Sequence, residues 1–408
     1  MAEKGNVSIN AKNIMPVIKK WLYSDKDIFV RELVSNGCDA IAKYRRLVSV
    51  GEAKEEPEYR VDVVIDKEEG TLTFTDNGIG MTGEEVKKYI AQVAFSGAED
   101  FLAKYKDEGA DGSGIIGHFG LGFYSAFMVA GKVVIDTLSC QEGAEAVRWT
   151  SEDGMEYEME PSDRAQHGSS MKLYLTDENR EFLEKWQLRG VLEKHCGFMP
   201  VPIYLSEVNV PAPEKAEGNE NADEAEAPKP AEPEQINDTN PLWLKKPNEV
   251  TDEEYREFYH KCFHDYDEPL FWIHLNAEYP FNLKGILYFP KIKNELSAAE
   301  GVIKLYNNQV FVADNIKEVI PEFLMLLKGA IDCPDLPLNV SRSFLQNDGY
   351  VKKMAAYITR KVADRLVSEF NTRREDYQKY WDDIHPFVKY GVLKDEKFYE
   401  RVKNVLLL

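Results

Sequence analysis

SDKDIFVRELVSNGCDAIAKYRR, residues Ser24 to Arg46, carries one helical pattern with two distinct faces. Ser24 followed by Asp27 ahead of an apolar run has the form of a capping-box start, and only Gly37 interrupts good helix formers up to Arg46. The spacing therefore predicts one long helix. Phe29, Leu33, Ala40 and Tyr44 recur at helical spacing with Val30, Val34 and Ile41 beside them, which makes this the face turned to a core. Glu32, Asn36, Asp39 and Lys43 recur at the same spacing on another face. On an arbitrary helix such a stripe is a solvated surface. The chain downstream makes it a candidate site.

Thr71 to Thr75 is β-rich and runs directly into Asp76-Asn77-Gly78-Ile79-Gly80-Met81, after which Thr82 with Glu85 caps a further helix. Turns of Asn and Gly are common. A carboxylate held at a strand end beside two glycines can also accept a hydrogen bond from a ligand amine, while the glycines let a flat ring approach the backbone. Gly112 to Phe123, GSGIIGHFGLGF, is glycine-dense and passes into a helical FYSAFMVA. Glycines ahead of a helix let backbone N–H groups point at phosphate, where the helix dipole also favours negative charge. No Lys-Ser/Thr follows, so this is not a Walker A loop, and no strand closely precedes it, so it is not a Rossmann turn. The preceding Ser96 to Gly114 is polar, as a lid over a ligand would be.

Around these stretches the first half alternates strand and helix signals. Tyr59 to Ile65 and Thr71 to Thr75, separated by DKEEG, read as a hairpin; Lys132 to Leu138, Ala146 to Thr150 and Met171 to Leu175 are further strands. Glu181 to Cys196 reads as helix and Pro200 to Leu205 as a closing strand, giving an α/β domain with a largely antiparallel sheet. From Val208 to Asp238 the sequence turns acidic and rich in Pro, Ala and Glu, with little to bury, and is expected to be a disordered linker. Beyond it, Thr251 with Glu254 opens a helix through Phe263, and Phe271 to Leu275 and Leu283 to Phe289 read as strands. Val302 to Val312 reads either as a hairpin turning at Asn307-Asn308 or as one interrupted strand. Helices are expected at Val319 to Gly329, Gly349 to Phe370 and Tyr377 to Leu408. The final VLLL is an apolar end that looks cut rather than completed.

The chain has 408 residues, 43% hydrophobic and 12% aromatic, enough for two or three domains with sizeable cores. Its 71 acidic against 50 basic residues give a formal charge of −21, which repels phosphate backbones and anionic lipid and argues against a general nucleic-acid or membrane binder. No apolar run reaches membrane-span length, and MAEKGNVSIN lacks a signal-peptide core, so a cytoplasmic protein is expected. The five scattered cysteines read as reduced thiols without zinc-site spacing. His260 and His264 lie four apart without an intervening metalloprotease carboxylate and read as a surface pair.

Taken together, RELVSNGCDA, DNGIGMT, SGAEDF, IGHFGLGFYSAF and HGSSMKLYL resemble, in sequence order, the motifs of the GHKL ATPase superfamily, and best those of the heat-shock protein 90 family of molecular chaperones, including its bacterial members. PLWLKKPNEVTDEEYREFY and LPLNVSRSFLQ resemble that family's middle domain, so the resemblance covers essentially the whole chain. It implies a fold with an N-terminal two-layer α/β sandwich of the GHKL (Bergerat) type, then the acidic linker, then an α/β middle domain ending in helices. The boundaries implied are 1–207 for the ATP-binding domain, 208–238 for the linker, 239–371 for the large part of the middle domain and 372–408 for its helical segment, ahead of a missing dimerisation domain.

The resemblance also assigns roles. Glu32 is implied as the general base that orients and deprotonates the attacking water, and Asn36 as a Mg²⁺ ligand. Asp76 receives the adenine amino group, supported by Ser169 and Gly80, with Met81 packing on the ring. Gly117, His118, Phe119, Gly120, Leu121, Gly122 and Phe123 wrap the phosphates of ATP or ADP, and Asp39, Lys43, Gly78, Ser96 and Gly97 complete the nucleotide contacts. Arg342 is implied as a charge-stabilising finger with Asn339 and Gln346 beside it. Independently of the resemblance, the helical stripe sets Glu32 and Asn36 one turn apart, so base and metal ligand share one side. Departures from the family pattern are Phe95 for a lysine, Ala91 for a glycine, His118 for a glutamine and Ser343 for a glutamate. The activity implied is an ATP-dependent chaperone that hydrolyses slowly, acts on unfolded or partly folded client proteins and forms a homodimer at full length. The alternative is a nucleotide sensor or client-binding scaffold with little hydrolysis.

Overall fold

The computed structural model describes residues 25–92, 97, 100–101, 115, 117, 120–208, 232–291, 301–316, 319–336 and 349–407. The chain divides into two compact units, Met1–Thr239 and Asn240–Leu408.

The first unit is an α/β sandwich. Its main helix, α1 (Ile28–Ser49), buries Phe29, Val30, Leu33, Val34, Ile41 and Tyr44 as the periodicity requires. Each such burial contributes about 1.5–3 kcal/mol, which outweighs the roughly 1 kcal/mol cost of Gly37 within a helix. Gly37 is there because a side-chain carbon would meet Val61 Cγ2 at 3.1 Å and Asp76 Cβ at 3.4 Å, so its absence lets helix and sheet approach closely. The helix starts later than the sequence suggests. Asp27 is the N-cap but makes no side-chain cap bond; its carboxylate instead accepts from Lys194 Nζ at 2.9 Å and lies 3.1 Å from His195 Nε2. Ser24 lies outside the described residues.

The sheet beneath comprises β1 (Val61–Asp66), β2 (Thr71–Asp76), β3 (Ala130–Leu138), β4 (Val147–Ser151), β5 (Glu158–Pro161), β6 (Gly168–Leu175), β7 (Ile203–Val208) and β8 (Glu234–Gln235), in the order β5-β4-β3-β6-β2-β1-β7-β8. The β1–β2 hairpin is the one expected, with Val61 opposite Asp76. Only the β1–β7 pairing is parallel, so the sheet is largely antiparallel. Helix α2 (Gly83–Tyr89) has the expected capping box of Thr82 and Glu85. The helical FYSAFMVA is a 3-10 helix, Gly122–Met128, and the stretch from Glu181 divides into a 3-10 turn, Asp177–Leu183, and helix α3 (Lys185–Cys196). Phe29 packs edge-on against Phe74 and Phe182, which ties α1 to the sheet and to this turn.

The linker's far boundary differs from expectation. Most of residues 208–238 lie outside the described residues, but Glu234–Gln235 form the edge strand β8. Buried Asn237 donates to the carbonyls of Met199 and Val201, both at 2.8 Å, and accepts from Ile203 N. A short polar segment is ordered here by unsatisfied backbone groups at a sheet edge rather than by apolar burial.

The second unit has helix α4 (Asp252–Phe263), strands β9 (Phe271–Ala277), β10 (Leu283–Phe289), β11 (Ile303–Asn307), β12 (Val310–Asp314) and β13 (Lys328–Asp332), and helices α5 (Gly349–Thr372), α6 (Arg374–Lys394) and α7 (Glu396–Val402). The sheet order is β12-β11-β13-β10-β9. Thr251 and Glu254 form the expected capping box. The open question at Val302 to Val312 resolves as a hairpin, turning at Asn308 and Gln309, both at positive φ (50° and 65°), as a tight primed turn requires. The helix expected at Val319 to Gly329 is not formed. Only a 3-10 turn, Glu322–Leu324, follows Pro321, and the segment then enters β13, paired to β10 on one side and β11 on the other. Sheet pairing decides against the local pattern, and Gly329 makes it possible because a β-carbon there would lie 2.6 Å from Ile286 O. Trp243 and Phe271 are both core residues.

Candidate functional site

The second stripe of α1 is not a solvated surface. Glu32 is 5% and Asp39 6% exposed, and Asn36 and Lys43 of the same stripe are partly buried. Burying carboxylates is costly unless they are paired or hydrogen-bonded, and both are. Glu32 Oε1 accepts from Arg31 Nη2 at 2.8 Å and Nε at 3.0 Å, and Arg31 is itself buried. Asp39 Oδ2 accepts the backbone N–H of Gly117 at 2.7 Å. Gly122 lies against Glu32 so closely that a β-carbon would come 2.7 Å from Oε2. The glycine-rich stretch thus meets the acidic stripe at two points. Lys43 has its ammonium 5.9 Å from the Phe101 ring centre; burial holds its pKa below the usual lysine value against the pull of Asp39, Glu85 and Asp100.

The turn after β2 packs against the same helix. Ile79 N donates to Ala40 O at 3.0 Å, and Gly78 fits because a β-carbon would lie 2.4 Å from the Ala40 carbonyl carbon. Gly80 has φ +64°, and a β-carbon there would lie 1.8 Å from Leu138 O, so only glycine fits. Asp76 is 9% exposed, and its Oδ1 accepts from Gly78 N at 2.9 Å. Burial pushes its carboxyl up to about 6, opposed by the N–H groups of Gly78 and Ser169 and by Arg164 and His167. A carboxylate has room for about four donors, so those two N–H groups leave capacity for a ligand amine. Met81 N donates to Thr137 Oγ1 at 3.0 Å, and Thr137 Oγ1 is 2.9 Å from Ser169 Oγ.

The structure therefore brings Glu32, Asn36, Asp39, Lys43, Gly117 and Gly122 together along α1, and Asp76, Gly78, Gly80, Met81 and Ser169 together at the adjoining turn. Gly97, Gly120, Leu121 and Phe123 are described, Phe123 buried in the 3-10 helix. Ser96, His118 and Phe119, with Phe95, Arg342, Ser343, Asn339 and Gln346, lie outside the described residues, as does most of the expected lid.

Sequence reasoning assigned no role to Arg31, Thr137, Arg164 or His167. Thr137 had a signal: it follows Val133 and Ile135 on the buried face of β3, where a hydroxyl needs partners. Among the described residues no group of three or more His, Cys, Asp or Glu is placed to hold a metal. His260 instead faces Asp265 O at 2.7 Å and Glu268 at 3.2 Å, and His264 closes α4 in a left-handed conformation. All five cysteines are free, and no helix among the described residues is long and apolar enough to cross a membrane.

The family described as Hsp90 protein matches residues 181–408, and that described as Histidine kinase-, DNA gyrase B-, and HSP90-like ATPase matches residues 24–171. The protein named Chaperone protein HtpG from Porphyromonas gingivalis (strain W83) is 50% identical over 408 residues, covering 100% of this chain and 58% of that relative. Its namesake from Bacteroides thetaiotaomicron is 49% identical over 406 residues, 99% of this chain and 57% of the relative. The one from Geobacter sulfurreducens is 35% identical over 403 residues, 97% and 62% respectively. The chain spans 58% of the length of the first of these relatives.

Proposed function

The chain belongs to the Hsp90 protein family, and from that premise we propose that it binds Mg·ATP in its first unit and hydrolyses it slowly in the service of an ATP-dependent chaperone. The observation that carries this reading is that one helix, α1, touches both the glycine-rich stretch, through Asp39 and Glu32, and the buried Asp76 turn, through Ala40. A phosphate-binding element and a base-binding carboxylate are thereby held against one rigid helix, a preorganised arrangement.

In this reading the adenine amine donates to Asp76, with the Ser169 and Thr137 hydroxyls ordering the polar edge of the ring. Gly78 and Gly80 let the turn pack against Ala40 and Leu138, which fixes the backbone that carries Asp76. The N–H groups of the 117–122 stretch face the phosphates. Asn36 would be the protein ligand of a Mg²⁺, which would supply charge neutralisation at the phosphates. Glu32, whose Oε1 is fixed by Arg31, orients the attacking water and accepts its proton. Arg342 stabilises charge on the phosphoryl oxygens. We extend the proposal to unfolded or partly folded client proteins, to a homodimer of the full-length protein, and to the cytoplasm as the place of action.

The test is turnover of Mg·ATP by the unaltered chain and by Glu32→Gln, with nucleotide affinity measured in parallel. Glu32→Gln keeps an acceptor for Arg31 and is expected to bind ATP near normally without turning it over. Undiminished turnover would remove Glu32 as the base.

A further inference from the structure

The segment between β5 and β6, Ser162 to His167, with Gly168 at the start of β6, crosses the turn after β2 like a strap. Arg164 Nη2 donates to the Asp76 carbonyl at 3.2 Å, while Nε donates to Gln166 O at 3.0 Å. Ser162 Oγ anchors the strap's start on Asp136 at 2.6 Å. At the other end His167 faces Gly78 O through Nδ1 at 2.7 Å and Glu56 Oε1 through Nε2 at 3.0 Å, and its ring stacks on Tyr44 of α1 at 4.4 Å and 17°. Gly168, at φ +103°, would place a β-carbon 2.2 Å from the Asp76 carbonyl oxygen. The turn is clamped between α1 and the strap, and two side chains of the strap fix the backbone on either side of Asn77, at the Asp76 and Gly78 carbonyls.

We infer that Arg164 and His167 are positioning residues for base recognition, holding the Asp76 carboxylate in place and in its anionic, amine-accepting form. This rests on the reading of Asp76 as the base-binding group.

Among the described residues, the charged and titratable groups facing Asp76 are few. From the strap come Arg164 and His167; from α1 comes the buried thiol of Cys38, which burial keeps protonated; Glu56 and Asp136 act only behind His167 and Arg164. Burial alone would favour a neutral Asp76; the Gly78 N–H opposes this most, and Arg164 of the strap opposes it next. His167 is held from both ring nitrogens, by the Gly78 carbonyl and the Glu56 carboxylate, and by its stack on Tyr44. Arg164 is partly buried and spends two of its donors on backbone carbonyls, so its position is set by geometry rather than by a mobile surface pair.

Calorimetric titration with Mg·ADP between about pH 5.5 and 8 tests this. Binding by the unaltered chain is expected to weaken on the acid side as Asp76 takes up a proton. Arg164→Gln is expected to move that acid limb up by about one pH unit, which is about a tenfold loss of affinity on the limb, and Arg164→Lys to restore it. His167→Ala is expected to weaken binding, and His167→Asn, which keeps a donor for Gly78 O, to recover most of it. Losses equal at every pH, with the limb unmoved and no recovery in the Lys and Asn variants, would overturn the inference. No Mg·ADP binding by the unaltered chain, or undiminished binding by Asp76→Asn, would instead overturn the functional reading beneath it.

Discussion

Gly122 and Glu32 meet at the start of the 3-10 helix with no space for a side chain between them, a β-carbon on Gly122 falling 2.7 Å from Glu32 Oε2. The glycine is backbone and the carboxylate is the end of a side chain, so in any conflict Glu32 moves.

Gly122→Ala is therefore expected to act as a selective displacement of Glu32. A misplacement of about 1 Å can cost about 10²-fold in rate, so turnover of Mg·ATP falls by that order while affinity for Mg·ADP changes much less. Steady-state kinetics with parallel calorimetry checks it; equal loss in both would place Gly122 in binding alone.

The buried Asp76 makes a statement about stability. Its folded value near 6 lies above the ordinary 3.8, so between these values the folded protein holds a proton that the unfolded chain has released. The contribution of this group to stability then falls as pH rises through that window, by about 3 kcal/mol in all. Without nucleotide, Asp76→Asn is expected to be more stable than the unaltered chain at pH 7 and to lose the advantage near pH 4.5. Urea denaturation at both pH values measures it.

Asp27 has the opposite sign. The hydrogen bond from His195 holds its carboxyl well below the usual range, with Lys194 adding to it. The stability it contributes is present above the unfolded value and is lost as pH falls. Asp27→Asn is expected to lower the melting temperature of the first unit at pH 7 and to differ little from the unaltered chain in acid, as differential scanning calorimetry would show.

Thr137 accepts from Met81 N and shares a hydrogen bond with Ser169 while fully buried. Thr137→Val has nearly the same shape and leaves those groups unsatisfied, at about 1–3 kcal/mol. The expected result is that loss in urea denaturation together with weaker Mg·ADP binding; a loss of stability without a change in affinity would separate Thr137 from the site.

Much of this was legible in the sequence because it is local. The α1 faces, the β1–β2 hairpin and the boxes at Thr82 and Thr251 each follow from spacing within one or two turns. What was missed depends on distant partners. Lys328–Asp332 is a strand because two neighbours pair with it, and Asn237 is ordered by carbonyls about forty positions earlier in the chain. Within the candidate site, Glu32, Asn36 and Asp76 were singled out through their motifs and are the residues on which the proposed function rests. Arg31, Arg164 and His167 were not, because their roles lie in what they hold rather than in any pattern of their own.

The most direct test is a crystal structure of the chain with a non-hydrolysable ATP analogue and Mg²⁺. The prediction is an adenine amine within hydrogen-bond distance of the Asp76 carboxylate, with Mg²⁺ on Asn36 and a water against Glu32. An analogue bound elsewhere, or a purine that leaves Asp76 without a contact, would contradict it.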